Sequence, residues 1–236
     1  MVTNGLLLRG ISVGCRVLQR LLRRAGYCYK RVRRSLRAKR PPARFAACQR
    51  LLRALHWRAD QPQVWYTDAC RFSRQAPVSP AWQRRGASAV TVPAVRSKGG
   101  YSMLGFWCTE AATEAATETP LFRWWTSETA FNATLWLAAV EDWLKTLRRP
   151  AVLVLDNASI HTANIIKERR PEWKRNGLTL LYLPSYSPEL NRIETLWLRF
   201  KHAWLAPADY DSEQTLFCRI NEIASGAGTK YRITFG

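Results

Sequence analysis

The chain has 236 residues, with 37 Lys or Arg against 17 Asp or Glu, a net charge of +20, and a hydrophobic fraction of 47%. That length suits one catalytic domain with a modest appendage, and no apolar run reaches the ~18–20 residues that span a bilayer. Six scattered cysteines (15, 28, 48, 70, 108 and 218) and three distant histidines (56, 161 and 202) argue against a disulfide framework and against a Cys/His zinc site.

The charge is unevenly spread. Residues 1–59 hold sixteen Lys or Arg and no acid, and the remainder holds 37 − 16 = 21 bases against 17 acids, a balance of +4. An all-basic arm on a near-balanced body reads as a polyanion-binding segment. Nucleic acid suits it better than a membrane, because the arm lacks an apolar face rich in Trp or Phe. No signal-peptide layout opens the chain, so the expected location is cytoplasmic.

In chain order, apolar residues at 18, 21, 22 and 25 predict a helix over Cys15–Ala25, with Gly26 as its stop. Tyr27–Arg40 is dense in cations, Pro41-Pro42 breaks it, and Ala43–Trp57 is helical again. Three strands follow: Val64–Ala69, Ala89–Val95 and Tyr101–Cys108. Thr109–Thr119 is a near-repeat that suits either a helix face or a solvated connector. A long helical pattern runs from Ser127 to about Leu147. Ala151–Leu155 is wholly apolar, as a strand buried on both faces is. Helix Ile165–Arg175, strand Leu178–Leu183, amphipathic helix Asn191–Leu205 and helix Ser212–Ala224 complete the series. A meander followed by alternating strands and helices predicts an α/β fold: a ribonuclease H-like mixed sheet with helices on both faces, preceded by a small basic helical segment. The expected division is 1–59 for the basic segment and linker, and 60–236 for the catalytic domain.

Asp68 and Asp156 each end an apolar strand, where open α/β sheets place their sites. Strand periodicity aims Val64, Tyr66 and Asp68 one way, and Val152, Val154 and Asp156 likewise, so on neighbouring strands the carboxylates converge. Unpaired carboxylates repel, and a divalent cation with hard oxygen ligands, Mg²⁺ or Mn²⁺, relieves that repulsion. Glu194, in the first turn of the helix after the last strand, completes a trio. Singly, each has an ordinary structural explanation. Asp68 and Asp156 suit Asx turns, and Asn191-Arg192-Ile193-Glu194 suits an N-cap with its N3 Glu. Ser159 has no convincing His/Asp partners for nucleophilic catalysis, and His56 and His202 are assigned to structure.

The words around these residues are more specific. VWYTDACRF at 64–72, LVLDNASIHTA at 153–163 and LYLPSYSPELNRIETLWLRFK at 181–201 resemble the three catalytic blocks of DDE transposases of the mariner superfamily, in its bacterial insertion-sequence branch. The turn around Trp82 and Gly86 is also similar to a family feature. The resemblance covers roughly 60–205. It implies that Asp68, Asp156 and Glu194 hold two metal ions, with Asp68 bridging, for DNA cleavage and strand transfer. It implies support from Asn157, His161 and Asn191. It also implies DNA (element ends and target) as partner, a homodimer on DNA, and a place on the bacterial nucleoid.

By the same resemblance the arm is the end of a truncated helix-turn-helix region. Arg16, Arg20, Arg23, Arg24, Lys30, Arg31, Arg33 and Arg34 are its expected phosphate contacts. Two departures stand out. Arg192 replaces the family's usual Pro, which leaves the turn before Glu194 less constrained, and Ala69-Cys70 replaces an often acidic pair. Two other readings remain open: an inert DNA-binding remnant, and a nuclease of RNA–DNA hybrids.

Overall fold

The computed structural model describes residues 14–28, 37–57, 62–77, 99–108 and 122–233. The expected strand 89–95, the near-repeat 109–119, the Trp82–Gly86 turn and Lys30, Arg31, Arg33 and Arg34 lie outside the described residues. The chain forms two compact units, Met1–Ala38 and Lys39–Gly236. In the first, α1 (Cys15–Arg24) buries no residue. Its Arg16, Arg20, Arg23 and Arg24 are all exposed, at a spacing that places them along one side of the helix.

The second unit starts about twenty residues before the boundary expected at 59/60. The reason is packing: α2 (Pro42–Trp57) buries Cys48 and Leu52 against Val64 and Tyr66 of the sheet.

Five strands make one sheet in the order β3-β2-β1-β4-β5. β1 (Gln63–Ser73), β2 (Gly100–Cys108) and β3 (Phe122–Ser127) form an antiparallel meander. β4 (Ala151–Leu155) and β5 (Leu178–Tyr182) then add in parallel beside β1. The expected mixed α/β sheet is therefore present. β3 was not foreseen: Phe122–Ser127 lies just before the expected helix, overlapping it only at Ser127, and that helix, α3, spans Ala133–Leu144. Asn132 caps it, its side chain accepting from the Leu135 N–H at 2.9 Å.

Alternation along β1 divides the core. Odd-numbered Trp65 joins Leu104, Phe106, Leu153 and Leu155 against α3 (Trp136, Val140, Trp143) and α5 (Asn164–Arg175, through Ile166 and Trp173). The single turn α4 (Ser159–Thr162) precedes α5. Even-numbered Val64, Tyr66, Cys70 and Phe72 pack on α2, on α6 (Ile193–Arg199, extended by a wider turn Phe200–Trp204) and on α7 (Glu213–Ser225). Asp68 belongs to this second face.

Candidate active site

The parallel register sets Tyr66 opposite Val154. Two residues further, Asp68 and Asp156 fall on the same face; β1 runs on to Ser73, so Asp68 lies mid-strand opposite Gly105 rather than at the strand end that the sequence predicts, while Asp156 does follow the end of β4. Asp156 ends in an Asx turn, its Oδ1 accepting from the Ala158 N–H at 2.9 Å. His161 Nε2 stands 3.5 Å from the same oxygen. Burial holds His161 down at about 4, against the pull of Asp156, so the ring is neutral near pH 7. Asn157 donates to the Leu183 carbonyl at 2.6 Å and ties this loop to the end of β5.

Glu194 reaches the same place on α6. That helix has no side-chain cap. It is held by Ile193, Leu196, Trp197 and Phe200, all nearly fully buried. At about 1.5–3 kcal/mol each, these anchors outweigh a missing cap worth about 1 kcal/mol. The expected Asn191 cap is not formed. Asn191 is buried, and its amide donates to the Thr67 carbonyl of β1 at 3.2 Å, fastening the third block directly to the first. Arg192 takes the capping place with φ −60°, close to the value proline would fix, so the turn survives the exchange.

Two residues that the sequence reading missed complete the site. Gly105 pairs with Asp68 across β1 and β2. A Cβ there would come within 2.7–2.9 Å of Phe122, Trp197 and Ile193, so the bare backbone is what lets α6 approach the catalytic strand. Lys201 lies two turns beyond Glu194, a helical spacing that could have revealed it, and lines a hollow of about 370 Å³ with Asp68, Glu194 and Trp197. Glu194 also borders a hollow of about 470 Å³ with Asp156, Asn157 and Asn191.

The electrostatics fit a cation site. Burial, then repulsion from Glu194 and Asp156, raises Asp68 to about 7, with the Ala69 N–H opposing. The Trp197 indole N–H also lowers Asp68. It meets no acceptor at hydrogen-bond geometry, so it acts as a dipole at longer range. Burial and Asp156 raise Glu194 as well, and Lys201 pulls it back. Three carboxylates lacking sufficient positive charge form a hard-oxygen donor set, as Mg²⁺ or Mn²⁺ prefers. As the side chains stand, no three acidic, His or Cys groups among the described residues are close enough to chelate one ion. Holding one ion between all three would require the carboxylates to close on it.

Comparison with known proteins agrees with this geometry. The mariner Mos1 paired-end complex with Mg superposes with a TM-score of 0.68 at 16% identity, over 93% of this chain and 65% of that one. The Mos1 transposase paired-end complex with left transposon end gives 0.67 at 17%, over 97% and 68%. These likenesses establish the ribonuclease H-like fold. Uncharacterized protein y4pE/y4sA of Sinorhizobium fredii (strain NBRC 101917 / NGR234) is 37% identical over 71 residues, which is 29% of this chain. The chain matches about half (48%) of that relative's length. A family profile described as DDE superfamily endonuclease matches residues 63–217, spanning every element from β1 into α7 and all three carboxylates, and on that match the chain belongs to the DDE superfamily endonuclease family.

Proposed function

We propose that the chain is the catalytic part of a transposase, which cuts DNA at the ends of a mobile element and joins them to a target in a divalent-metal-dependent reaction. The observation that carries the reading is that Asp68, Asp156 and Glu194, from two neighbouring parallel strands and one helix, lie near enough for Asp68 to feel the repulsion of the other two, in a member of this endonuclease family. These side chains would hold Mg²⁺ or Mn²⁺, two ions in all. The crystallised Mos1 complexes with Mg and with Mn support that choice of metal. Bound ions supply Lewis-acid stabilisation of the attacking and leaving oxygens.

The chain's own residues position the reaction. His161 and the Ala158 N–H orient Asp156, Asn191 locks α6 to β1, and Lys201 brings a positive charge beside the site to meet a phosphate. In the first step water attacks the scissile phosphorus, the P–O3′ bond breaks, and a 3′-hydroxyl is released. In the second step that hydroxyl attacks a target phosphodiester, forming one P–O bond and releasing another 3′-hydroxyl. No covalent bond to the protein is needed. Arg16, Arg20, Arg23 and Arg24 would contact phosphates, as would Lys30, Arg31, Arg33 and Arg34. Element-end DNA would be held by a homodimer, on the bacterial nucleoid in the cytoplasm.

The test is cleavage of element-end duplex in Mn²⁺ by the purified chain and by Asp156→Asn. Cutting by the first and none by the second supports the assignment. Equal cutting by both sinks it. Salt-sensitive binding with no cutting by either identifies an inert remnant.

A further inference from the structure

The segment between β5 and α6 is fixed at both ends. The Leu183 N–H donates to the Leu155 carbonyl at 2.8 Å, and the Asn157 amide donates to the Leu183 carbonyl. Beyond it, Ser187 is buried and donates to the Ser185 carbonyl, and Asn191 is anchored on β1. Between these anchors stands Tyr186, with φ +58° the one non-glycine residue of positive φ among those described. A bulky side chain adopts that region at a cost.

The ring is 46% exposed, and neither the ring nor the hydroxyl has a partner among the described residues. Glycine would take the same dihedral without strain. The fold therefore holds a half-exposed aromatic ring, at a dihedral unfavourable to it, in the wall of the hollow that also contains Asp156 and Glu194.

We infer that Tyr186 is a stacking platform for a nucleobase of the strand being cut, at a nucleotide flanking the scissile phosphate. This rests on the proposed action on DNA. A strand whose phosphate lies at the carboxylates must pass its neighbouring base along this wall. A base offers a flat apolar face that an exposed tyrosine can cover whatever its sequence. The base must leave its stack to do so, which makes Tyr186 a selector for frayed or single-stranded ends.

The experiment uses the full chain and a duplex with a short 3′ overhang carrying 2-aminopurine. Overall binding is read by anisotropy, stacking by fluorescence quenching, and folding by thermal denaturation. The wild type and Tyr186→Phe are expected to quench. Tyr186→Ala and Tyr186→Gly are expected to lose the quench and to bind the overhang about 5- to 150-fold more weakly. Tyr186→Gly is expected to keep the wild-type melting temperature or exceed it, which a structural role for the ring would not allow. Quenching by Tyr186→Ala equal to wild type overturns the inference. So does a change of oligomeric mass in that variant with quenching intact, which would make the ring a protein contact. Absence of both DNA binding and metal-dependent cutting in the wild type overturns the functional reading itself, and the stacking role with it.

Discussion

Asp68→Asn should stabilise the metal-free protein while destroying its activity. Burial and the two neighbouring acids carry the Asp68 carboxyl from 3.8 to about 7. The folded chain thus holds this proton more tightly than the unfolded chain does. Below about pH 4 both states are protonated, and the group costs nothing. As pH rises from about 4 to about 7, the unfolded state ionises first and stability falls. Above about 7 the full penalty is present, about 4 kcal/mol by linkage. Relaxation of the side chains reduces this, so a gain of about 2–4 kcal/mol at pH 8 is expected from the neutral amide, or several degrees in melting temperature. The assay is urea and thermal unfolding in EDTA at pH 4 and pH 8. The variant should gain at pH 8 and not at pH 4. Added Mn²⁺ should raise the melting temperature of the wild type and leave the variant unmoved. A variant less stable than wild type at pH 8, or a gain that ignores pH, would refute the reasoning.

Other consequences are open to measurement. Gly105→Ala forces Phe122, Trp197 and Ile193 apart and should cost about 1–3 kcal/mol in chemical denaturation, with a larger proportional loss of cleavage, because α6 carries Glu194. Asn191→Ala removes the bond to Thr67 and should cost about 1–2 kcal/mol, lowering kcat more than it raises KM. His56 is pushed down to about 4 by burial and Arg192, and His161 to about 4 by burial. Both are neutral when folded, so stability present above about pH 6.5 should fall between there and about 4. His161 alone contributes up to about 3 kcal/mol, and the effect is best seen in Asp68→Asn, where the strongest opposing group is gone. Replacing Arg16, Arg20, Arg23 and Arg24 together by Gln should reduce the slope of log K against log salt on duplex DNA by about 3–4 if all four meet phosphates.

Much of this architecture could be read from residues because burial and chemistry coincide along the strands. Ala151–Leu155 is apolar throughout and lies inside the sheet. The even-numbered residues of β1 share one face, so Asp68 had to follow Tyr66 onto it. What escaped reading depends on partners distant in sequence. FRWWTS at β3 is defined by pairing with β2 across the intervening stretch, and only its last residue, Ser127, falls within the expected helix. Asn191 looked like a cap because its local spacing suits one, while its actual partner, Thr67, is 124 residues away. Gly105 is an ordinary strand glycine until α6 is laid across it. The helix 42–57 was assigned to the arm by its charge, whereas Cys48 and Leu52 bind it to the sheet.

The central claim is that Asp68, Asp156 and Glu194 act as one metal site that cuts DNA. Mn²⁺ uptake by electron paramagnetic resonance, measured beside cleavage in Asp68→Asn, Asp156→Asn and Glu194→Gln, tests it most directly. Loss of Mn²⁺ uptake and of cleavage together in all three folded variants is the expected result. Retention of wild-type cleavage by any one of them would contradict it.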